Sequence, residues 1–225
     1  MQLDAYHYYM LFIPQMLLSL SVHESSHAYS ALRAGDDTAA LQGRISLNPL
    51  KHLDPWGLLF FLVFKFGWAK PCPVATYRLK NPRRDEIIIS LAGPGSNLAL
   101  ALLFGLVLRA SWQSLLAVGE VGKMVLLFLA IGAQINSALA FFNVLPIPPL
   151  DGSHVLGGIL PLKWQPGFQR IMPYGMLILL GLVILGSFGH LDVFSILIGV
   201  PMTLWLWLVM GSELLHFVVT QAPYL

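Results

Sequence analysis

Tyr-Tyr-Met-Leu-Phe-Ile-Pro-Gln-Met-Leu-Leu-Ser-Leu-Ser-Val-His-Glu-Ser-Ser-His-Ala-Tyr-Ser-Ala-Leu, residues 8–32, reads at first as one apolar helix of membrane-spanning length. Its second half then places His23, Glu24 and His27 where a spanning helix should be uncharged. An ionisable residue at the centre of such a helix costs on the order of 2.5–3.5 kcal/mol on insertion scales, so it faces a bundle interior and serves a function. Three within five positions call for a shared partner, and a divalent cation is an obvious one. The rest of the chain fits a membrane setting. Of its 225 residues 56% are hydrophobic and 11% charged, against roughly 45–50% and 25% in an average soluble domain.

Outward from this helix, further uncharged stretches at Ile87–Leu108, Met124–Leu145, Met172–Gly189 and Val193–Gly211 approach spanning length, giving five spans. A sixth apolar run, Trp56–Phe64, is too short to cross and reads as a re-entrant or interfacial segment. Turn-forming prolines and glycines flank it, and Gly43–Leu47 and Pro73–Tyr77 could pair as short strands. The expected fold is therefore an all-α multi-pass membrane protein: a bundle of five to six transmembrane helices with a short re-entrant or β-like cytoplasmic segment. It forms one domain over 1–225, with a catalytic core at about 8–160 and two further helices at about 172–219. The apolar start has no Lys or Arg before Arg33, so it lacks the basic region of a cleaved signal peptide.

Nine of the 13 basic residues fall between Arg33 and Arg84. The positive-inside tendency puts that loop in the cytoplasm. Five crossings then place the N-terminus outside and the C-terminus inside, with the active-site side cytoplasmic. A net charge of +2, scattered among apolar runs, gives no footprint for nucleic acid. Cys72 is the only cysteine, so no internal disulfide can form.

His23-Glu24-Ser25-Ser26-His27 is an HExxH pattern. Two imidazoles at i and i+4 stack on one helix face and can bind one zinc ion. Glu24 lies about 100° round the helix from His23, near enough to take a proton from metal-activated water without being a ligand. With seven His and four Glu in the chain, roughly 0.004 such patterns are expected by chance. Catalytic zinc usually has three protein ligands and an open position. Asp151 follows Pro146, Pro148 and Pro149, whose non-helical backbone is acceptable at membrane depth only inside protein or beside a watery cavity. Asp151 could instead cap a helix starting near Ser153, and His52, Asp54 and His154 are rival ligands.

Two stripes of small residues, Gly93-Asn97-Ala101-Gly105 and Gly132-Asn136-Ala140-Asn143, suit close helix packing with hydrogen bonds across it. Asn143, beside the candidate metal, is assigned to binding substrate backbone or a developing oxyanion. Glu213 and His216 read as an interfacial cluster rather than a second metal pair.

Three motifs together, His23-Glu-Ser-Ser-His27, Gly93-Pro-Gly-Ser-Asn97 and Asn143-Val-Leu-Pro146-Ile-Pro-Pro-Leu-Asp151-Gly152, resemble those of the site-2 protease family of intramembrane zinc metalloproteases. They occur in family order over residues 8–160. The stretch Gly67–Pro71 is similar to the compact prokaryotic branch, and there is no room for the PDZ or CBS domains of some members. The resemblance favours Asp151 as third ligand. It implies one zinc per chain, and substrates that are membrane proteins cut in or near a transmembrane helix within the lipid bilayer. Two other classes are a catalytically silent, chaperone-like zinc-binding protein and a metal or proton transporter. Glu24 argues against the first, because a structural site needs no adjacent base and is usually closed by four protein ligands. Polar residues clustered towards one side argue against the second.

Overall fold

The computed structural model describes residues 5–64, 67–187 and 194–221. Its regular elements among the described residues are helices: α1 (Ala5–Ala34), α2 (Thr38–Leu41), α3 (Pro55–Phe64), α4 (Pro82–Ala117), α5 (Glu120–Asn143), α6 (Asp151–Ile159), α7 (Gln165–Ile171), α8 (Gly175–Ser187), α9 (Val200–Met210) and α10 (Ser212–Gln221). Three stretches among the described residues are long and apolar enough to cross a membrane: Pro82–Ala117, Glu120–Asn143 and Gln165–Leu185. The other two of the five expected spans differ from these in composition or in length. Helix α1 has 30 residues, but the polar side chains from Gln15 to His27 dilute its apolar character. The last expected span is a shorter apolar helix, Ser195–Met210. The expected ends at Gly189 and Val193 lie outside the described residues.

The expected strands do not form. Residues 43–47 are turn and coil, and Thr76–Arg78 closes into a 3-10 turn. Among the described residues the only β feature is an isolated antiparallel bridge, Leu53 to Ala69. Local capping explains the difference. The Arg44 N–H donates to Ala39 O (3.0 Å) and the Ala75 N–H to Asp36 Oδ2 (2.6 Å), so backbone groups that a strand pair would use are already engaged. Helix α3, with 10 residues, is about 15 Å long at 1.5 Å per residue, half the thickness of a hydrocarbon core.

The chain divides into two compact units. The first comprises Met1–Ser19, Asn97–Phe142 and Leu182–Leu225. Its apolar core gathers Leu108, Leu126, Ala130, Leu206, Val209 and Met210. A polar network stands beside it: Asn97 Nδ2 donates to Asn136 Oδ1 (2.8 Å), and Asn136 Nδ2 donates to Ser19 Oγ (2.9 Å) and to Gly132 O (2.8 Å). Both asparagines are fully buried. The two small-residue stripes thus do what close packing in lipid requires, bonding one helix to the next through side-chain amides.

The second unit comprises Leu20–Ser96 and Asn143–Gly181. Helix α4 enters it with Pro82 in its first turn, while the Asn81 N–H donates to Asp85 Oδ2 (2.8 Å). Arg83 ties that end of α4 to the end of α6, donating through Nε to Gly158 O (2.6 Å) and through Nη2 to Leu160 O. Buried Asp36 just past α1 takes hydrogen bonds from the Thr38 backbone and hydroxyl and from the Ala75 N–H, fastening residues 72–80 across the end of α1. Ala31, Leu79 and Ile89 form the small apolar cluster beneath it.

Candidate metal centre

Within the second unit, α1 presents His23 and His27 one turn apart, and both are buried. Their Nε2 atoms lie 3.1 Å from each other. Asp151, the first residue of α6, meets both, with Oδ2 3.2 Å from His23 Nε2 and Oδ1 3.3 Å from His27 Nε2. These are the residues among those described whose donor atoms converge well enough to hold a metal ion. Zinc binds such atoms at about 2.0–2.1 Å, and two corners of a tetrahedron of that size are about 3.3 Å apart. The three separations therefore fit the edges of one tetrahedral site, with its fourth corner left for water or substrate.

Second contacts fit the same donor set. The His27 Nδ1 lies 2.7 Å from Ile89 O. A carbonyl can only accept, so the proton sits on Nδ1 and the Nε2 lone pair faces the centre. The Asp151 Oδ2 atom is buried against His23 Nε2, and a cation placed between the two would serve both. Gly93 on α4 backs the pair of imidazoles. A Cβ there would fall 2.6 Å from His23 Cε1 and from His27 Cε1, and closer still to His27 Nε2. Gly152 is held as tightly, since a Cβ would meet the carbonyls of Val144 and Leu145.

The rival ligands have other work. The N-cap of α6 is Leu150, with no side-chain cap, so Asp151 is not serving as one. His52 is buried, with Nε2 2.7 Å from Ser46 O. Asp54 Oδ1 accepts from the Gly57 N–H (2.8 Å) at the start of α3. His154 pairs with Glu86 at 3.3 Å, both partly exposed. Glu213 and His216 are exposed at α10 and belong to no metal-holding cluster among the described residues. Asn143 is half-buried as the last residue of α5, from which the chain turns through 144–150 to Asp151.

Glu24 is buried beside His23, and its Oε2 lies 3.6 Å from Nη2 of Arg44, a side chain 2% exposed. The sequence does not mark Arg44 as part of the site. It stands in a turn with no periodicity to mark its burial, and one signal could have drawn attention to it: a cation close in sequence to a membrane helix that carries an unpaired acid. A groove of about 570 Å³ runs along another flank of α1, lined by Ser25, Ser26, Tyr29 and Ser30 with Ile45 and Leu47 opposite. It adjoins the metal ligands without being lined by them.

The sequence pattern of Peptidase family M50 matches residues 113–186. The Bacillus subtilis (strain 168) protein named "Putative zinc metalloprotease YwhC" is 42% identical over 178 residues, which is 77% of this chain and 80% of that protein. The Mycolicibacterium smegmatis protein named "Putative zinc metalloprotease Rip2" is 35% identical over 181 residues, 78% of this chain and 67% of that protein. A Mycobacterium tuberculosis (strain H37Rv) protein with the same name is 32% identical over 178 residues, covering 76% of this chain and 66% of the relative. No solved structure matches the chain.

Proposed function

Because the chain belongs to peptidase family M50, the site-2 protease family of membrane zinc metalloproteases, we propose that it hydrolyses peptide bonds in or near transmembrane helices of other membrane proteins. In this reading His23, His27 and Asp151 hold one zinc per chain. When bound, zinc supplies a Lewis acid that polarises the scissile carbonyl and makes water acidic enough to react near neutral pH. Glu24 takes the proton of the attacking water on its carboxylate and passes it to the leaving amide nitrogen. Asn143 donates its amide N–H to the substrate backbone or to the carbonyl oxygen as negative charge develops there. The substrate lies extended, since a helical carbonyl is engaged in its own hydrogen bond.

The observation that carries this reading is the convergence of the three donor atoms at 3.1–3.3 Å on a buried helix face next to an acid that is not a ligand. The cluster of basic residues at Arg33–Arg84 supports a topology with that loop and the C-terminus in the cytoplasm and the N-terminus outside. The length of α3 supports a dip into the membrane without a crossing.

The test is to purify the full chain in detergent, count zinc, and assay a panel of single-span membrane proteins with and without chelator. His23→Ala, His27→Ala and Asp151→Ala are expected to lose metal and cleavage together, and Glu24→Gln to keep metal and lose cleavage. Substrates with Gly or Asn near the cut are expected to be cleaved faster than Leu/Ala-rich versions. Full cleavage by Glu24→Gln, or full zinc in a folded Asp151→Ala protein, overturns the assignment. Zinc retained with no cleavage of any panel member by the wild type would favour a silent zinc-binding protein.

A further inference from the structure

We propose that Arg44 is a positioning residue for Glu24, fixing the general base by charge and tying it to the loop closed by the Leu53–Ala69 bridge. The inference rests on the reading of Glu24 as base. Its geometry lies wholly within the second unit. The guanidinium is 2% exposed and makes three directed contacts: Nη1 donates to Lys51 O (2.8 Å), Nη2 donates to Lys70 O, and the same Nη2 lies 3.6 Å from Glu24 Oε2. The two carbonyls belong to the strands of chain joined by the Leu53–Ala69 bridge and by the Lys70 N–H to His52 O bond (2.7 Å). One side chain thus connects the base to both sides of a loop more than 20 residues away in sequence.

A loop staple alone does not account for this residue. Two carbonyl acceptors could be served by a neutral amide, whereas a buried cation carries a large desolvation cost unless a charge faces it. Here the Nε–H is buried with no acceptor, so the guanidinium is not even fully used as a hydrogen-bond donor. The feature that offsets its burial is the Glu24 carboxylate. The benefit runs the other way too: a carboxylate on a membrane helix has its position defined by a fixed cation, and a base displaced by 1 Å from its proton can lose about 100-fold in rate.

Arg44→Lys, Arg44→Gln and Arg44→Met, with Glu24→Gln and Glu24→Asp, are compared in the full-length detergent-solubilised protein. Zinc content, melting temperature, kcat and KM are measured on a single-span reporter that the wild type cuts. Arg44→Lys keeps the charge and loses the fork; Arg44→Gln and Arg44→Met lose the charge. The expected result is wild-type zinc and KM in all three Arg44 variants, kcat lowered less than tenfold in the Lys variant, and kcat lowered tenfold to 100-fold in whichever neutral variants fold. The effect of Arg44→Met should shrink in a Glu24→Asp background, where the carboxylate is already withdrawn. Equal kcat in the Lys and neutral variants, or a kcat loss that merely follows melting temperature, overturns the role of Arg44 while leaving Glu24 in place. Cleavage by Glu24→Gln at the wild-type rate overturns both, and so separates the two failures.

Discussion

Gly93→Ala adds one methyl group at the point where α4 touches the face of α1 that carries His23 and His27, and its effect on the proposed metal centre can be worked out with the sign of each contribution. Alanine is favoured over glycine within a helix by about 1 kcal/mol, so an unobstructed position gains stability. At Gly93 the new carbon sits 2.6 Å from carbon atoms of both His23 and His27 and closer to His27 Nε2. Overpacking of this kind costs about 1–3 kcal/mol. The strain is relieved when the imidazoles turn away from each other, which is also the movement that spreads the ligand set. The cost therefore appears mainly in metal affinity: at 1.4 kcal/mol per tenfold, about fivefold to 150-fold weaker zinc binding, with little change in the stability of the metal-free protein. Gly95, two residues on, is exposed and its added Cβ meets nothing within 4 Å, so Gly95→Ala serves as the control. Competition with a zinc chelator and thermal unfolding in detergent measure the two quantities. Zinc affinity unchanged in Gly93→Ala, or weakened equally in Gly95→Ala, would refute the reasoning.

Three further expectations follow from groups outside the metal centre. Burial pushes the Asp36 carboxyl up, but hydrogen bonds from the Thr38 hydroxyl, the Ala75 N–H and the Thr38 N–H outweigh it and hold it below its ordinary 3.8. A depressed folded value stabilises the protein above the unfolded value and loses that contribution as pH falls through the folded one. Asp36→Asn should therefore lower stability by about 1.5–3 kcal/mol at pH 7, and the gap to wild type should narrow below pH 3.8; a gap independent of pH counts against the charge. Burial first, and then the nearby Glu24 charge, push the Cys72 thiol up to about 12, so its alkylation at pH 8 should be much slower than that of a free thiol and should accelerate on unfolding; fast labelling of the folded protein would contradict this. Asn97→Ala leaves Asn136 Oδ1 without its donor at 2.8 Å, and should cost about 1–3 kcal/mol, while adding Asn136→Ala should cost less than the sum of the single changes; strict additivity in thermal unfolding would show that the pair is not coupled.

The parts of this molecule that sequence made legible are those where chemistry repeats with the helix. His23 and His27 at i and i+4 could be placed on one face before any coordinates, and so could the small-residue stripes that carry Asn97 and Asn136. Asp151 was open between a ligand and a helix cap on the residues alone, and the resemblance of the three motifs favoured it as a ligand. What resisted reading was set by contacts without period. The segments Gly43–Leu47 and Pro73–Tyr77 have strand-like composition, yet Asp36 and Ala39 claim their backbone groups, and the bridge forms between Leu53 and Ala69 instead. Arg44 stands in that same irregular loop, where its burial depends on carbonyls at positions 51 and 70. The all-α membrane bundle was legible from the apolar runs, three of which stand among the described residues as helices of spanning length, while α1 carries polar side chains from Gln15 to His27 and Ser195–Met210 is shorter.

The third member of that set, Asp151, lies 124 residues after His27 in the chain, and this separation has a consequence for biogenesis. At about 5–20 residues per second of synthesis, roughly 6–25 s pass between the emergence of the second histidine and that of the aspartate. During that interval α1 carries two imidazoles and an acid with no third metal ligand, and Ile89, which orients His27, arrives partway through. A two-histidine site lacks the three protein ligands of a catalytic zinc centre, so the proposed centre cannot be complete before Asp151 has been made. On the proposed assignment, hydrolysis has to wait until α6 has been made and has brought Asp151 to the two histidines. The order of the three residues along the chain thus sets the earliest moment at which the proposed centre can form.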